Sequence, residues 1–407
     1  MPASGLGGSN TIDCDILIVG GGIGGAGLAA ALRDQGYSIV MVEASKDPLD
    51  TARGDHIQPV VVEILEKWGA LPTFFARGAE KRFGTRYKTP TGDMILDCPL
   101  ENLLLPHPYY LVLHHELIGQ AFLDLARENK RFSLIRPAWG RDFEVKDGDV
   151  VALHVKLTDG GDAVIRPKLV VGADGRSSQV RKMLGFATED YEYQSPLVML
   201  TAPHNESDPH NDITAFMGAT GMTFRIPRMS RQWKFSIPIG QEDIAWWKAS
   251  TVDDRRRVLK TRAPALGDLA ASIIGFYPCK LANCHTWVRG NTVLIGDAAN
   301  SLHPAHGQGM NIALRNAAAF ISYLPPSERL SDPAVVRSAL RAFEDTHKPI
   351  MARVLSGNHQ RALEMDNRDP AAILAATKFY ADAAKDSVTR AQFTWLTTGY
   401  PPRSKLP

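Results

Sequence analysis

The sequence is poor in cysteine, nearly balanced in charge, and without long apolar runs, and each shortage excludes a class of protein. Its 407 residues include four cysteines, Cys14, Cys98, Cys279 and Cys284, too few and too scattered for a disulfide framework or a zinc site. That usage fits a reducing compartment, so a cytoplasmic location and no metal are expected. Lys plus Arg total 46 against 44 Asp plus Glu, a net charge of +2, which gives no global electrostatic case for nucleic acid or an anionic membrane. No apolar run approaches the roughly 18 residues of a membrane span. Met1 to Asn10 is rich in Gly and Ser, with neither a positive start nor an apolar core, and is expected to be a flexible arm instead of a signal peptide. Ser404-Lys405-Leu406 resembles a peroxisomal address, but Pro407 follows it. What is present is an ordinary globular balance, 44% hydrophobic and 22% charged, at a length suited to two or three domains or one composite unit. No internal repeat is visible.

The strongest local pattern lies near the start. Asp15-Ile16-Leu17-Ile18-Val19 is a continuous apolar run that predicts a buried parallel strand, Ile23 to Gln35 predicts a small-residue helix, and Ser38 to Glu43 predicts a second strand. Between the first strand and the helix, Gly20-Gly21-Gly22-Ile23-Gly24-Gly25 fits G-x-G-x-x-G in the context that gives the motif meaning. Gly20 permits the tight turn, Gly22 lets a pyrophosphate approach bare backbone, and Gly25 allows close helix–strand packing. The helix N-terminus at Ile23 offers free N–H groups to an anion. Glu43, followed by Ala44, closes the second strand, where a carboxylate accepts hydrogen bonds from an adenosine ribose and repels a 2′-phosphate. The fingerprint alone does not separate FAD from NAD.

Elsewhere, helices are expected over Ile57 to Trp68, Leu117 to Ala126, Asp253 to Arg262 and Ala265 to Ile274, and strands over Val150 to Leu157, Ala163 to Val171 and Thr292 to Ile295. Short alternating segments from Ser195 to Gly240, such as Trp233-Lys234-Phe235-Ser236-Ile237, predict an antiparallel sheet. The stretch from Asn311 onward is expected to be mostly helical. The fold class is therefore α/β, a Rossmann-like dinucleotide-binding domain with an inserted β-rich substrate domain and a helical C-terminal region. The expected boundaries are 1–75, 110–187 and 280–330 for the first, 76–109 and 188–279 for the second, and 331–407 for the third.

Two later segments carry a family resemblance. Val171-Gly172-Ala173-Asp174-Gly175-Arg176-Ser177-Ser178, with Arg181, resembles the Asp-Gly motif of group A flavoprotein monooxygenases. Gly296-Asp297-Ala298-Ala299, then Pro304 and Gly307-Gln308-Gly309-Met310-Asn311, resembles their second FAD motif, in the order of the p-hydroxybenzoate hydroxylase type. The resemblance implies that Gly296 and Asp297 serve the FAD ribityl chain or ribose, that Pro304 and Gly307 lie beside the isoalloxazine ring, and that the backbone of Gly309, Met310 and Asn311 holds its pyrimidine end. It also implies that Asp174 is linked to nicotinamide-cofactor binding, that Arg53 lies near the pyrophosphate, and that His114 takes the slot of a flavin-facing Arg or Gln. The chain departs from the family pattern at Asn300, His303, Arg315-Asn316 and His347.

The implied reaction uses FAD, NADH or NADPH as a transient co-substrate, and molecular oxygen. A flavin C4a-hydroperoxide would hydroxylate a phenolic or hydroxylated heteroaromatic small molecule in a monomer or homodimer. With one dinucleotide fingerprint and no Cys-x-x-Cys, a two-domain disulfide reductase is disfavoured. A phenol reacts best as phenolate, so the site wants a cation or base near the hydroxyl. His303 and His306, in the loop around Pro304, and Arg225, in an insert strand, are the candidates. The alternative for each is an ordinary hydrogen-bonded polar residue or a surface arginine. Tyr109 and Tyr110 either line the pocket or pack in the core, and Asp253 to Arg257 is expected to be a solvated helix face. Three rivals share the FAD domain: a flavin-dependent halogenase (Trp233 to Pro238 is one aromatic away from its W-x-W-x-I-P string), a reductase of the geranylgeranyl type, and a non-catalytic flavin-binding helper.

Overall fold

A computed structural model of the chain describes residues 10–46, 54–158, 160–204, 212–304 and 307–400. Strand β1 (Asn10–Val19) runs through the glycine turn into helix α1 (Ile23–Ala31), and β2 (Ile39–Val42) returns parallel to β1, with Ile16 beside Ile39 and Val19 beside Val42. The side chains of Ile16, Leu17 and Ile18 are fully buried, as expected where helices cover both faces of a parallel sheet. Gly20 takes φ +107°, and an added Cβ at Gly25 would lie 2.0 Å from the Gly20 carbonyl oxygen. The turn and the helix meet that closely only without side chains.

The chain then forms the short strand β3 (His56–Ile57), the hairpin β4 (Gly84–Lys88) and β5 (Met94–Pro99), strand β6 (Tyr110–Val112) and helix α2 (His115–Ala126). β7 (Phe132–Ile135) joins β2, and β8 (Asp162–Gly172) joins the other side of β1, both parallel. An antiparallel meander, Ala138–Lys146 and Asp149–Leu157, extends from β8.

Next come β9 (Leu197–Pro203), β10 (Ile213–Gly218), β11 (Gly221–Arg228), β12 (Gln232–Pro238), helix α3 (Val252–Arg262) and β13 (Ser272–Tyr277). These five strands and the β4–β5 hairpin form one seven-stranded sheet in the order β13-β9-β12-β11-β10-β4-β5. β14 (Thr292–Leu294) then closes onto β8 in the first sheet, and four helices follow: α4 (Gly309–Ile321), α5 (Pro333–Asp366), α6 (Pro370–Lys385) and α7 (Ser387–Thr397).

One expected helix is absent. The Ala265 to Ile274 stretch makes a single 3₁₀ turn at Pro264–Leu266, breaks at Gly267 (φ +69°) and becomes strand β13. Proline starts the turn, glycine ends it, and the β-branched and aromatic run that follows finds its ladder against β9. The first helix is also shorter than its pattern, stopping at Ala31.

The seven-stranded sheet has two dissimilar faces, set by the period of two along each strand. Val198, Leu200, Phe216, Trp233, Phe235 and Ile237 pack with Trp247 and Leu259 in one core cluster. The opposite face carries Leu197, Met199, Phe224, Ile226, Lys234 and Ser236, which border a cavity. All four cysteines are buried free thiols. No helix among the described residues is long and apolar enough to cross a membrane.

Candidate active site

The cavity has a volume of about 1430 Å³ and runs from the glycine turn to the wall of the seven-stranded sheet. That exceeds the roughly 300–1,000 Å³ of a typical single-ligand pocket, so a dinucleotide and a small molecule can share it.

At one end the wall is mostly backbone. Gly20, Gly22, Ile23, Glu43, Ala44, Asp174, Gly296 and Asp297 border it. An added Cβ at Gly22 would meet nothing within 4 Å, so this backbone opens directly onto the cavity. Glu43 accepts from the Gly21 N–H at 2.6 Å and from the Ser45 N–H at 2.6 Å, which fixes its carboxylate beside the turn. Asp174 accepts from Ser178 Oγ and from the backbone N–H groups of Gln179 and Val180, so it caps the next helical turn. Arg181 donates to the carbonyls of Ala298 and Arg176 and ties the two later motifs together. Arg176 lies 3.6 Å from the Asp297 carboxylate and over the Tyr277 ring.

Pro304, Gly307, Gly309, Met310 and Asn311 border the middle of the cavity. The Asn311 side chain accepts from the Gln58 N–H at 2.8 Å and donates to the carbonyls of His56 and Gly307. It thereby clamps β3 to the start of α4, leaving the unpaired N–H groups of that helix end for a ligand. These features fit FAD: a glycine cradle open to the cavity, carboxylates at Glu43 and Asp297 for hydroxyl groups, and a helix N-terminus for an electron-rich ring edge.

At the other end the wall is made of side chains, and the residue that organises it is Asp55, 1% exposed. Arg228 Nε donates to Asp55 at 2.7 Å, Lys234 Nζ stands 3.7 Å from the same oxygen, and the second oxygen accepts from the His115 N–H. Arg228 also donates to His114 Nδ1 at 2.8 Å. That bond requires a neutral His114, and burial together with the Arg228 charge pushes its pKa down. His56 borders the cavity beside this group. Its Nε2 is buried without a hydrogen-bond partner, and burial lowers its pKa to about 3. Tyr110, on β6, holds Thr85 Oγ1 at 3.2 Å, and burial raises its phenol to about 12, so it stays protonated.

The C-terminal helices complete the enclosure. Tyr380 stacks on Tyr87 at 4.5 Å between ring centres, and Phe393, Leu396 and Tyr400 border the cavity. Arg361 lies over the Phe379 and Phe393 rings and pairs with Glu364.

Several expected site residues stand elsewhere. Arg225 alternates with Phe224 and Ile226 along β11, so it faces away from the cavity, over the Trp233 ring at 4.2 Å. His303 is buried against the edge of Tyr193 at 4.7 Å and does not border the cavity, although Pro304 beside it does. His114 sits behind the wall on Arg228, and Gly25 serves the turn from inside the fold. Arg53 and His306 lie outside the described residues. Of the two tyrosines, Tyr110 borders the cavity, whereas Tyr109 lies under the Lys81 ammonium. On α3, Arg256 and Arg257 form surface ion pairs, but Arg255 is buried and donates to the Ala271 carbonyl, so the solvated face is interrupted there.

Sequence reasoning missed Asp55, His56, Lys234 and the C-terminal aromatics. A signal existed for Lys234, since it and Ser236 are the polar positions of a strand whose alternate residues are Trp, Phe and Ile. None existed for Asp55, whose partner Arg228 is 173 residues away.

Comparison with known proteins agrees with this geometry. The model of the FAD binding domain family matches residues 13–354. A ubiquinone hydroxylase of Rhodospirillum rubrum is 25% identical over 348 residues, covering 82% of this chain and 78% of its own. The 3-demethoxyubiquinol 3-hydroxylase of Escherichia coli is 26% identical over 353 residues, covering 81% and 86%. Among solved structures, the p-nitrophenol 4-monooxygenase of Pseudomonas putida superposes with a TM-score of 0.78 at 18% identity, covering 96% of this chain and 99% of that one, and so shares the fold.

Proposed function

Given that the chain belongs to the FAD binding domain family of flavoprotein aromatic monooxygenases, we propose that it hydroxylates a phenolic or hydroxylated heteroaromatic small molecule. NADH or NADPH would serve as the transient reductant and molecular oxygen as the oxidant. The observation that carries this reading is the continuity of one cavity from the flavin motifs to a sheet wall that is mostly apolar and carries Thr85, Lys234 and Ser236 among its polar positions.

Bound FAD supplies the electron transfer and oxygen chemistry. The protein supplies position and charge. Glu43 would hold the adenosine ribose, Asp297 would accept from the ribityl hydroxyls, the N–H groups of Gly309 to Asn311 would serve the pyrimidine edge, and Pro304 would flank the ring. The aromatic substrate lies against Leu197, Met199, Phe224 and Ile226, with its hydroxyl toward Lys234. An ammonium there lowers the substrate's pKa and raises the electron density of the ring. His56, neutral and with Nε2 unpaired, orients the same group, and Tyr110 donates without losing its proton. His303 and Arg225 have no part in this assignment, since neither borders the cavity.

The test uses the purified, FAD-loaded protein under air. NADH and NADPH oxidation and oxygen uptake are followed with and without phenols, hydroxypyridines and quinolones. The expected result is a compound that accelerates oxidation and gains one oxygen atom by mass spectrometry. FAD retention with no stimulation by any compound would count against hydroxylation and favour the reductase, halogenase or helper readings.

A further inference from the structure

The charged groups bordering the cavity are almost all accounted for within the protein. Arg176 pairs with Asp297, Arg361 with Glu364 and Lys234 with Asp55, while Glu43 and Asp174 accept from backbone N–H groups and Arg353 lies exposed to solvent. Arg315 is the exception. It borders the cavity from α4 and is 8% exposed, yet no carboxylate, carbonyl or hydroxyl among the described residues pairs with its guanidinium. Burial alone lowers its pKa, to about 10, which leaves it charged at neutral pH. A buried cation with no counter-group is costly, and such groups are retained where a ligand provides the partner.

The side of the helix identifies which ligand. Ala313 packs against the nucleotide motifs, within 3.2 Å of a Cβ placed on Gly24 and 2.9 Å of one placed on Gly296. Arg315, two residues on, stands roughly 200° around the helix and so turns away from the FAD phosphates. Its charge instead acts on α5, where it helps lower the pKa of His347 to about 4. His347, Ile350 and Val354 share one face of α5 by spacing, and Ile350 and Val354 border the cavity. Ile350 is 42% exposed and borders the cavity, so solvent reaches the cavity at this face of α5.

We propose that Arg315 is an oxyanion site in the cavity wall, and that it takes a carboxylate of the small aromatic substrate. The substrate half of this inference rests on the function proposed above. The same chemistry would accept a phosphate of the nicotinamide dinucleotide, and the experiment separates the two sources.

Crystals of the FAD-loaded protein and of Arg315→Met are soaked in sodium bromide. An anomalous peak on the Arg315 guanidinium, absent from the variant, is expected. Flavin absorbance titrations then compare benzoate with benzamide, 1-naphthoate with 1-naphthamide, and quinoline-2-carboxylate with its amide. In the natural protein an acid should bind at least tenfold tighter than its amide. The gap should close in Arg315→Met and partly reopen in Arg315→Lys, with the KM for NADH and NADPH unmoved. A rise in the dinucleotide KM with the acid preference intact would keep the oxyanion site and reassign it to the dinucleotide. No bromide at Arg315 overturns the site. Bromide with both readouts unmoved, in a folded and FAD-loaded variant, marks an adventitious ion only and also overturns it. If acids and amides bind equally while some neutral phenol is hydroxylated, the carboxylate inference fails and the monooxygenase reading stands.

Discussion

The two ends of the cavity are built of different material. At the nucleotide end the contacting surface is backbone: a turn of glycines, a helix N-terminus, and two carboxylates held by nearby N–H groups. At the substrate end it is side chains delivered by β3, β4, β6, β11, β12 and the last three helices, around the buried Asp55–Arg228 pair. A backbone surface recognises features shared by every copy of one cofactor, and it tolerates little change because a side chain would fill it. A side-chain surface is rewritten by single substitutions while the fold stays. On the function proposed above, the substrate end would therefore set the specificity of this chain, and it also carries the larger energetic liabilities.

The largest expected effect follows from that liability. Arg228→Met removes the principal partner of Asp55, leaving a carboxylate that is 1% exposed with Lys234 and the His115 N–H beside it. Breaking one side of a buried pair costs about 3–5 kcal/mol. A shift of that size in the urea unfolding free energy is expected, and the double change Arg228→Met with Asp55→Leu should recover much of it. A loss below about 1 kcal/mol would mean that water reaches Asp55 and that the two ends are less different than described.

Histidine titration sharpens the contrast. His56 and His347 are held neutral by burial, with pKa values lowered to about 3 and about 4. In the unfolded chain both titrate near 6.5. As pH falls the unfolded state binds these protons first, so their contribution is complete above about 6.5 and is lost progressively toward the folded values. Calorimetry should show a Tm that is flat near pH 7 to 8 and declines from about pH 6.5 to 4. That window lies largely above the range where ordinary carboxylates titrate. His56→Gln with His347→Gln should flatten the decline, and an unchanged slope would refute buried neutral histidines as its cause.

Lys234→Met tests the substrate end without touching the other. Loss of one charge-assisted bond to a substrate oxygen is worth about 1.5–3 kcal/mol, or roughly 10- to 150-fold in kcat/KM. FAD content should be unaltered, and the optimum should move to higher pH as the phenol loses its help in ionising. Equal losses of FAD and activity would place Lys234 in support of the fold instead of the reaction.

How much of each end was legible in the sequence follows from the same difference. Gly20 to Gly25 and Glu43 form a local pattern, with strand, turn and helix adjacent along the chain, so spacing points to them, whereas Asp297 and Gly309 to Asn311 were expected from the family resemblance of their motifs. Asp55 and Arg228 meet only after the insert has folded back, and Lys234 gains meaning only when the register of β12 turns it toward the cavity. Arg225 shows the converse failure. A polar residue in the right strand was expected in the pocket, and the period of two put it on the other face. The C-terminal helices were readable as helices, but an apolar helix face looks the same whether it meets a core or a ligand. The misassigned helix at Ala265 to Ile274 has a similar origin, since its apolar residues satisfy both periods until Gly267 decides.

The smallest effect concerns the end that is best read. Glu43 already accepts from the Gly21 and Ser45 N–H groups, so Glu43→Gln keeps one acceptor oxygen and replaces the other with a donor facing an N–H. The fold should persist, because the turn is set by glycine backbone and by the packing of α1 on β1. What changes is the adenosine ribose, which loses one charged acceptor, a difference of about 1–2 kcal/mol or roughly five- to thirtyfold in FAD affinity. The flavin spectrum of the loaded protein should be nearly unchanged, since the place proposed for Glu43 is at the opposite end of the cofactor from the ring. Equilibrium titration of the apoprotein, read alongside that spectrum, separates the two. A weakened affinity with an altered spectrum would mean that the ends of the nucleotide site are coupled through the turn, so that the backbone-built half is less rigid than its glycines suggest.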